Sequence, residues 1–169
     1  MYQRILVPVD GSPTSNQGLD EAVKLAKLTG ATLRLVYVVN ELTFATGFEI
    51  YTPDLIGLLK EGGEQILREA KARVQTSGVD VSTFLSENFA GRLCDIVVDE
   101  ARTWNADLIV IGSHGRRGVQ RLFIGSDAEQ ILRNAPVPVL LVRAAAAHPG
   151  DRLTTGGDAS ALQPLVAPA

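Results

Sequence analysis

The 169-residue sequence contains one cysteine, Cys94, and no marked excess of either charge. Each scarcity excludes something. A lone thiol cannot close an intrachain disulfide or supply a cysteine-based zinc site, so the scaffold needs no oxidising compartment. Cys94 reads instead as a small buried hydrophobe. Lys and Arg total 16 against 19 Asp and Glu, a net charge of −3, without the basic excess that a general nucleic-acid binder carries. No nucleic-acid partner is expected. Long apolar runs are also missing. The first, Ile5-Leu6-Val7-Pro8-Val9, is broken at once by Asp10, too short for a signal-peptide core or a bilayer span. The expectation is therefore a cytoplasmic protein with no membrane association. Aromatic residues are absent from 144–169, where 8 Ala, 3 Gly and 3 Pro stand in 26 positions. That tail has little to bury against the entropy of ordering it, so a poorly ordered extension is expected beyond a body of residues 1–143.

Within the body, short apolar runs alternate with amphipathic stretches. Ile5–Val9 ends in the turn signal Asp10-Gly11-Ser12-Pro13. Thr14 and Gln17 have the spacing of a capping box. Leu19, Ala22, Val23 and Ala26 then mark one face of a helix ending near Gly30. Thr32 to Val39 reads as a second strand, followed by a polar-aromatic loop from Asn40 to Thr52. A helix is expected from Pro53, with an apolar stripe at Leu55, Leu59, Ile66, Ala70 and Val74, weakened or bent at Gly62-Gly63. Val79 to Leu85 predicts a third strand, and Leu93, Ile96, Val97 and Ala101 a third helix ending near Trp104-Asn105. Asp107 to Gly112 is the most apolar strand, Ser126 to Asn134 the last helix, and Pro136 to Val142 the fifth strand. Continuous apolar strands separated by helices predict an open, doubly wound α/β fold with a parallel sheet covered on both faces.

Ligands of such sheets bind beyond the carboxyl ends of the strands, where strand order reverses. The first and fourth strands are the expected centre, and the loops after them carry the chemistry. Gly112-Ser113-His114-Gly115-Arg116-Arg117-Gly118, with Gly125-Ser126 opening the last helix, reads as a phosphate site. Glycines let backbone N–H groups converge on an anion, and a helix N-terminus favours negative charge. Ser126 can cap that helix or give its hydroxyl to a phosphate. Between Gly112 and Gly125 stand Arg116, Arg117 and Arg121 and no acid, a local +3 in an acidic protein. His114 lacks a visible acid or nucleophile partner and is read as a solvated ring. For Asp10 the plain alternative to a ligand role is a turn-forming side chain. A P-loop motif and the Gly-x-Gly-x-x-Gly dinucleotide fingerprint are both missing, although Glu41 sits where an acid can hold a ribose.

Three separated segments are similar to the ATP-binding branch of the universal stress protein family. They are Ile5–Ser12, Ala106–Arg116 and Ala135–Arg143, together with the spacing Gly112-x2-Gly115-x9-Gly125-Ser126. The resemblance spans residues 1–143 and implies an adenine-nucleotide α-hydrolase-like sheet of order 3-2-1-4-5. It also implies ATP, with Mg or Mn, between the first and fourth strands. By that resemblance Pro8, Val9 and Val38 line the base pocket, and Asp10 faces the ribose and a phosphate-bound metal. Gly112, Gly115, Arg116, Gly125 and Ser126 take the phosphates. Asp127 departs from the family pattern, which more often has an apolar residue there. The fifth strand would form the sheet edge, and its apolar character predicts a homodimer through Val137 to Val142. The function so implied is a nucleotide-dependent regulatory module of the stress response, read by an unidentified protein partner. A slow ATPase or phosphotransfer enzyme using Asp10 and a metal is the rival, lacking a loop lysine and a convincing base. A family member that binds no nucleotide is the third reading.

Overall fold

The computed structural model describes residues 1–39, 53–87, 91–113 and 124–143. Residues 40–52, 88–90, the arginine-bearing segment 114–123 and residues 144–169 lie outside the described residues. Nine elements follow in βα alternation: β1 (Arg4–Pro8), α1 (Pro13–Thr29), β2 (Thr32–Val38), α2 (Pro53–Gln75), β3 (Val81–Ser86), α3 (Leu93–Thr103), β4 (Leu108–Gly112), α4 (Ser126–Asn134) and β5 (Val139–Val142). The strands are all parallel, in the order β3-β2-β1-β4-β5. This is the expected architecture.

Strand periodicity sorts the core into two layers. Ile5, Val7, Val9, Leu33, Leu35 and Val110 pack under α1 and α2, with Leu19, Ala22, Ala26, Leu67 and Val74. Leu6, Val36, Val38, Ile109 and Ile111 pack on the other face, under α3 and α4, with Val97, Ala101, Ala128 and Ile131. Cys94 belongs to this second layer, fully buried, and burial pushes its thiol up from its ordinary value. Asp80 and Asp95 are exposed, and Leu93 and Trp104 lie partly buried against the core, all as the pattern suggests.

Two local expectations need correction. The cap of α1 is Ser12, not Thr14: its hydroxyl accepts the Ser15 N–H at 3.2 Å, and Pro13 takes the first helical position. Proline fits there because its missing N–H has no intrahelical partner to lose. The fifth strand begins at Val139 rather than Pro136, since Pro136 and Pro138 cannot donate to a ladder, although the Pro138 carbonyl still accepts from the Ile109 N–H at 3.0 Å. Helix α2 runs unbroken through Gly62-Gly63. A Cβ on Gly63 would stand 2.6 Å from the Tyr37 ring, so this glycine serves close packing of α2 on β2.

One charged residue is buried among the described residues, Glu100 on α3. Its Oε1 lies 2.7 Å from Nε of Arg34 on β2, yet neither atom makes an aligned hydrogen bond. The Arg34 guanidinium also lies over the rings of Phe84 and Trp104, at 5.7 and 5.6 Å from their centroids. Burial raises the Glu100 carboxyl above its ordinary 4.5, and Arg34 pulls it only part-way back. A carboxyl raised on folding is protonated first in the folded state, so it favours folding at low pH and that contribution is lost as pH rises. Wild type is therefore expected to gain stability relative to Glu100→Gln as pH falls through the window just above 4.5. Urea unfolding of both proteins between pH 7 and pH 4.5 measures this; the opposite slope means that attraction to Arg34 outweighs burial.

Candidate functional site

The chain passes from β1 out to β2 and β3, then returns to place β4 on the other side of β1. That reversal leaves the carboxyl ends of β1 and β4 adjacent, with α1 following one strand and α4 the other. Both loops leave the sheet there, so side chains and helix N-termini gather at one end of the molecule.

The β1 wall is a tightly bonded turn. Gly11 has φ 78°, which lets the chain reverse after Asp10. Asp10 Oδ1 accepts the Ser12 N–H at 2.8 Å, and the Asp10 N–H donates to Ser15 Oγ at 3.1 Å. The turn-forming reading of Asp10 is thus observed, and it holds the carboxylate half-buried at the end of β1. Val9 donates its N–H to the Val36 carbonyl at 2.8 Å, and its side chain is buried under α1 and α2. Pro8 and Val38 lie on the opposite side of the sheet, by the alternation of their strands. Successive residues of one strand cannot line one pocket with both side chains, so Pro8 and Val9 are separated by the pleat.

The β4 wall joins the two helices. Ser113 is buried, its N–H donating to the Val142 carbonyl at 2.7 Å, and its carbonyl accepts the Gly125 N–H at 2.9 Å. This last bond ties the start of α4 to the end of β4. Gly125 is the N-cap with φ −61°, so Ser126 is the first helical residue rather than the cap. No side chain among the described residues caps α4 or α3, whereas Ser12 closes α1. Ser126 and Asp127 are exposed, and Ala128 and Ile131 anchor the helix in the core.

Gly112 has a role that the sequence pattern did not suggest. A Cβ there would lie 2.6 Å from the Thr14 carbonyl oxygen and 3.0 Å from the Ser15 nitrogen. Its missing side chain lets α1 sit directly on the end of β4, and Gly18 repeats the device one turn along, where an added Cβ would lie 3.2 Å from the Gly112 nitrogen. The sequence pattern marks neither Gly18 nor Ser15, and marks Ser12 only as part of a turn. Proline at position 13 was the available signal for the cap at Ser12; nothing local signals Gly18.

Gly115, Arg116, His114, Arg117, Arg121 and Glu41 lie outside the described residues. Among the described residues no group of three or more His, Cys, Asp or Glu is placed to hold a metal, and no helix is long and apolar enough to cross a membrane. A shallow cleft of about 570 Å³ opens at the far end of the sheet, beside Arg4, Gly30 and Trp104. There the Arg4 guanidinium already donates to the Trp104 carbonyl at 3.2 Å.

Comparison with known proteins decides the family. The sequence profile of the universal stress protein family matches residues 1–143. The chain belongs to the universal stress protein family. A universal stress protein of Methanocaldococcus jannaschii is 35% identical over 144 residues, 85% of this chain and 83% of the relative. The crystal structure of a universal stress protein family member from Burkholderia pseudomallei superposes with a TM-score of 0.69 at 35% identity, covering 85% of this chain and 97% of that one. A universal stress protein crystallised in complex with cAMP superposes with a TM-score of 0.60 at 26% identity, over 84% of this chain and 97% of its own. In this universal stress protein the three motif segments fall on the β1 turn, β4 and β5, within the matched residues 1–143.

Proposed function

We propose that this universal stress protein is an ATP-binding regulatory module of the stress response, holding the nucleotide in the crevice between β1 and β4 and presenting its bound state to a protein partner. The observation that carries this reading is the start of α4. It is tethered by Gly125 to the end of β4, no side chain among the described residues caps it, and it directly follows a segment of net +3 charge. Positive partial charge at a helix N-terminus beside cationic side chains and glycines is what a phosphate requires. The cAMP complex of a related protein supports an adenine nucleotide as the class of ligand.

In this reading Pro8 and Val38 contact the base from one side of the sheet. Val9 contributes main chain only, because its side chain is committed to the core. Asp10 meets the ribose and Ser126 a phosphate, with Gly112, Gly115, Arg116 and Gly125 completing the cradle. Mg or Mn would enter with the nucleotide. In this reading the Asp10 oxygen Oδ1 stays engaged in the turn, where it accepts the Ser12 N–H.

Protein purified under native conditions and then denatured is expected to release intact ATP, and added ATP with magnesium is expected to persist for hours. Steady ADP formation would favour the slow ATPase. Absence of released nucleotide together with no measurable affinity would sink the reading.

The fifth strand is expected to join two copies. β5 stands at the sheet edge, with Leu140 39% exposed and Val137 and Val139 only partly buried. Pairing with its own copy would satisfy the edge and cover Leu140. Sedimentation at micromolar concentration should give a dimer, and Leu140→Lys a monomer; a monomeric wild type excludes this interface.

A further inference from the structure

We infer that pairing of two copies through β5 and nucleotide binding at the start of α4 reinforce each other, with the backbone of Ser113 as the junction. The inference rests on the nucleotide reading and the β5 pairing above, and names the regulation of that site.

Ser113 is buried, and both of its backbone polar groups are engaged by the two elements concerned. Its N–H donates to the carbonyl of Val142, the last residue of β5, at 2.7 Å. Its carbonyl accepts the N–H of Gly125, the N-cap of α4, at 2.9 Å. One residue thus ties the end of the edge strand to the start of the helix. The other ends are tied as well. Only residues 135–138 separate α4 from β5, and the Pro138 carbonyl accepts the N–H of Ile109 on β4 at 3.0 Å. Ala128 and Ile131 of α4 belong to a buried layer against which Val139 and Leu141 of β5 pack.

This unit joins the shortest strand to the shortest helix among the described residues. β5 has one neighbouring strand, and α4 has two buried residues. A short helix and a strand paired on one side open locally before the core does. A second copy on β5 favours the docked form of the unit, and so does a phosphate held at the start of α4. Two ligands that favour the same form favour each other, by the same factor in both directions. Leu140 allows the pairing to be broken away from the junction. It stands opposite Val110 in the ladder, on the other face of the sheet from Val139 and Leu141.

Sedimentation velocity on the full chain is expected to give a dimer dissociation constant roughly fivefold or more lower with saturating ATP and magnesium than without nucleotide. Affinity for labelled ATP, measured by equilibrium dialysis, should fall by the same factor in Leu140→Lys. Wild type diluted below its dimer dissociation constant should show the same fall, which separates coupling from any folding defect of the variant. Amide exchange at Ser113 and Gly125 should slow on dimerisation before nucleotide is added. Unchanged exchange there, or a dimer constant that ATP leaves alone or raises, overturns the inference while binding and pairing both stand. A chain that stays monomeric at every concentration overturns it together with the β5 pairing. A dimer that binds no adenine nucleotide overturns it together with the nucleotide reading.

Discussion

Gly112→Ala should destabilise the protein by about 3 kcal/mol, a loss of roughly 6–12 °C in melting temperature. The added methyl would be built 2.6 Å from a backbone carbonyl oxygen and 2.8 Å from its carbon. Backbone cannot rotate away as a flexible side chain can, so α1 must move off β4. Movement there would disturb the buried helix start at Ser12 and Ser15 as well. Gly112 does not have a positive φ, so the cost is steric rather than conformational. Gly62→Ala is the control: that glycine lies inside α2 with nothing within 4 Å of an added Cβ. Helix propensity then predicts a gain of about 1 kcal/mol. Chemical denaturation of the two variants measures the contrast. Equal effects would mean that the contact with Thr14 relaxes freely.

Ile131→Ala is the second large effect, and it couples packing to binding. Ile131 is fully buried, and with Ala128 it makes up the buried face of α4. Truncation costs about 2–4 kcal/mol by lost burial and cavity formation. A helix of nine residues does not persist in water without its packed face, so the loss falls first on α4 itself. The tether between Gly125 and Ser113 then no longer holds a helix N-terminus in place. On the proposed nucleotide-binding reading, apparent affinity is expected to fall in proportion to the fraction of molecules with α4 docked, by about tenfold or more. Leu33→Ala removes an equally buried side chain under α1 and α2, far from α4 in the core layering. It should lower global stability while leaving affinity nearly unchanged below the transition. Amide exchange across 126–134 locates the effect. Equal affinity losses in the two variants would refute the role of α4.

The periodic elements were legible because their signals are local. The apolar runs became β1, β2 and β4 within a residue or two, and the Pro13, Gly30, Pro53 and Gly78 punctuation bounds α1 and α2. The glycine-serine start of α4 was read at its true position, 126–134. The prolines near β5 were absorbed into the strand by hydrophobicity alone, although they cannot join a ladder. At the site, the residues at the ends of β1 and β4 were found by their oddity against apolar strands. The use that each makes of its position was less visible: Asp10 closes a turn, Val9 is core, and Gly112 is a contact surface.

What the sequence by itself determined is the order of elements, the parallel sheet and the family, since apolar spacing, turn residues and motif spacing act within one or two turns of chain. Only the tertiary structure decided which glycines make room, which acid is buried, and which side chain closes the start of α1. Gly112 meets Thr14, Asp107 accepts the N–H groups of Gln3 and Arg4, and Glu100 meets Arg34. Each pair is far apart along the chain. Its energy exists only once the sheet has brought β1, β2 and β4 side by side, so no local pattern can encode it.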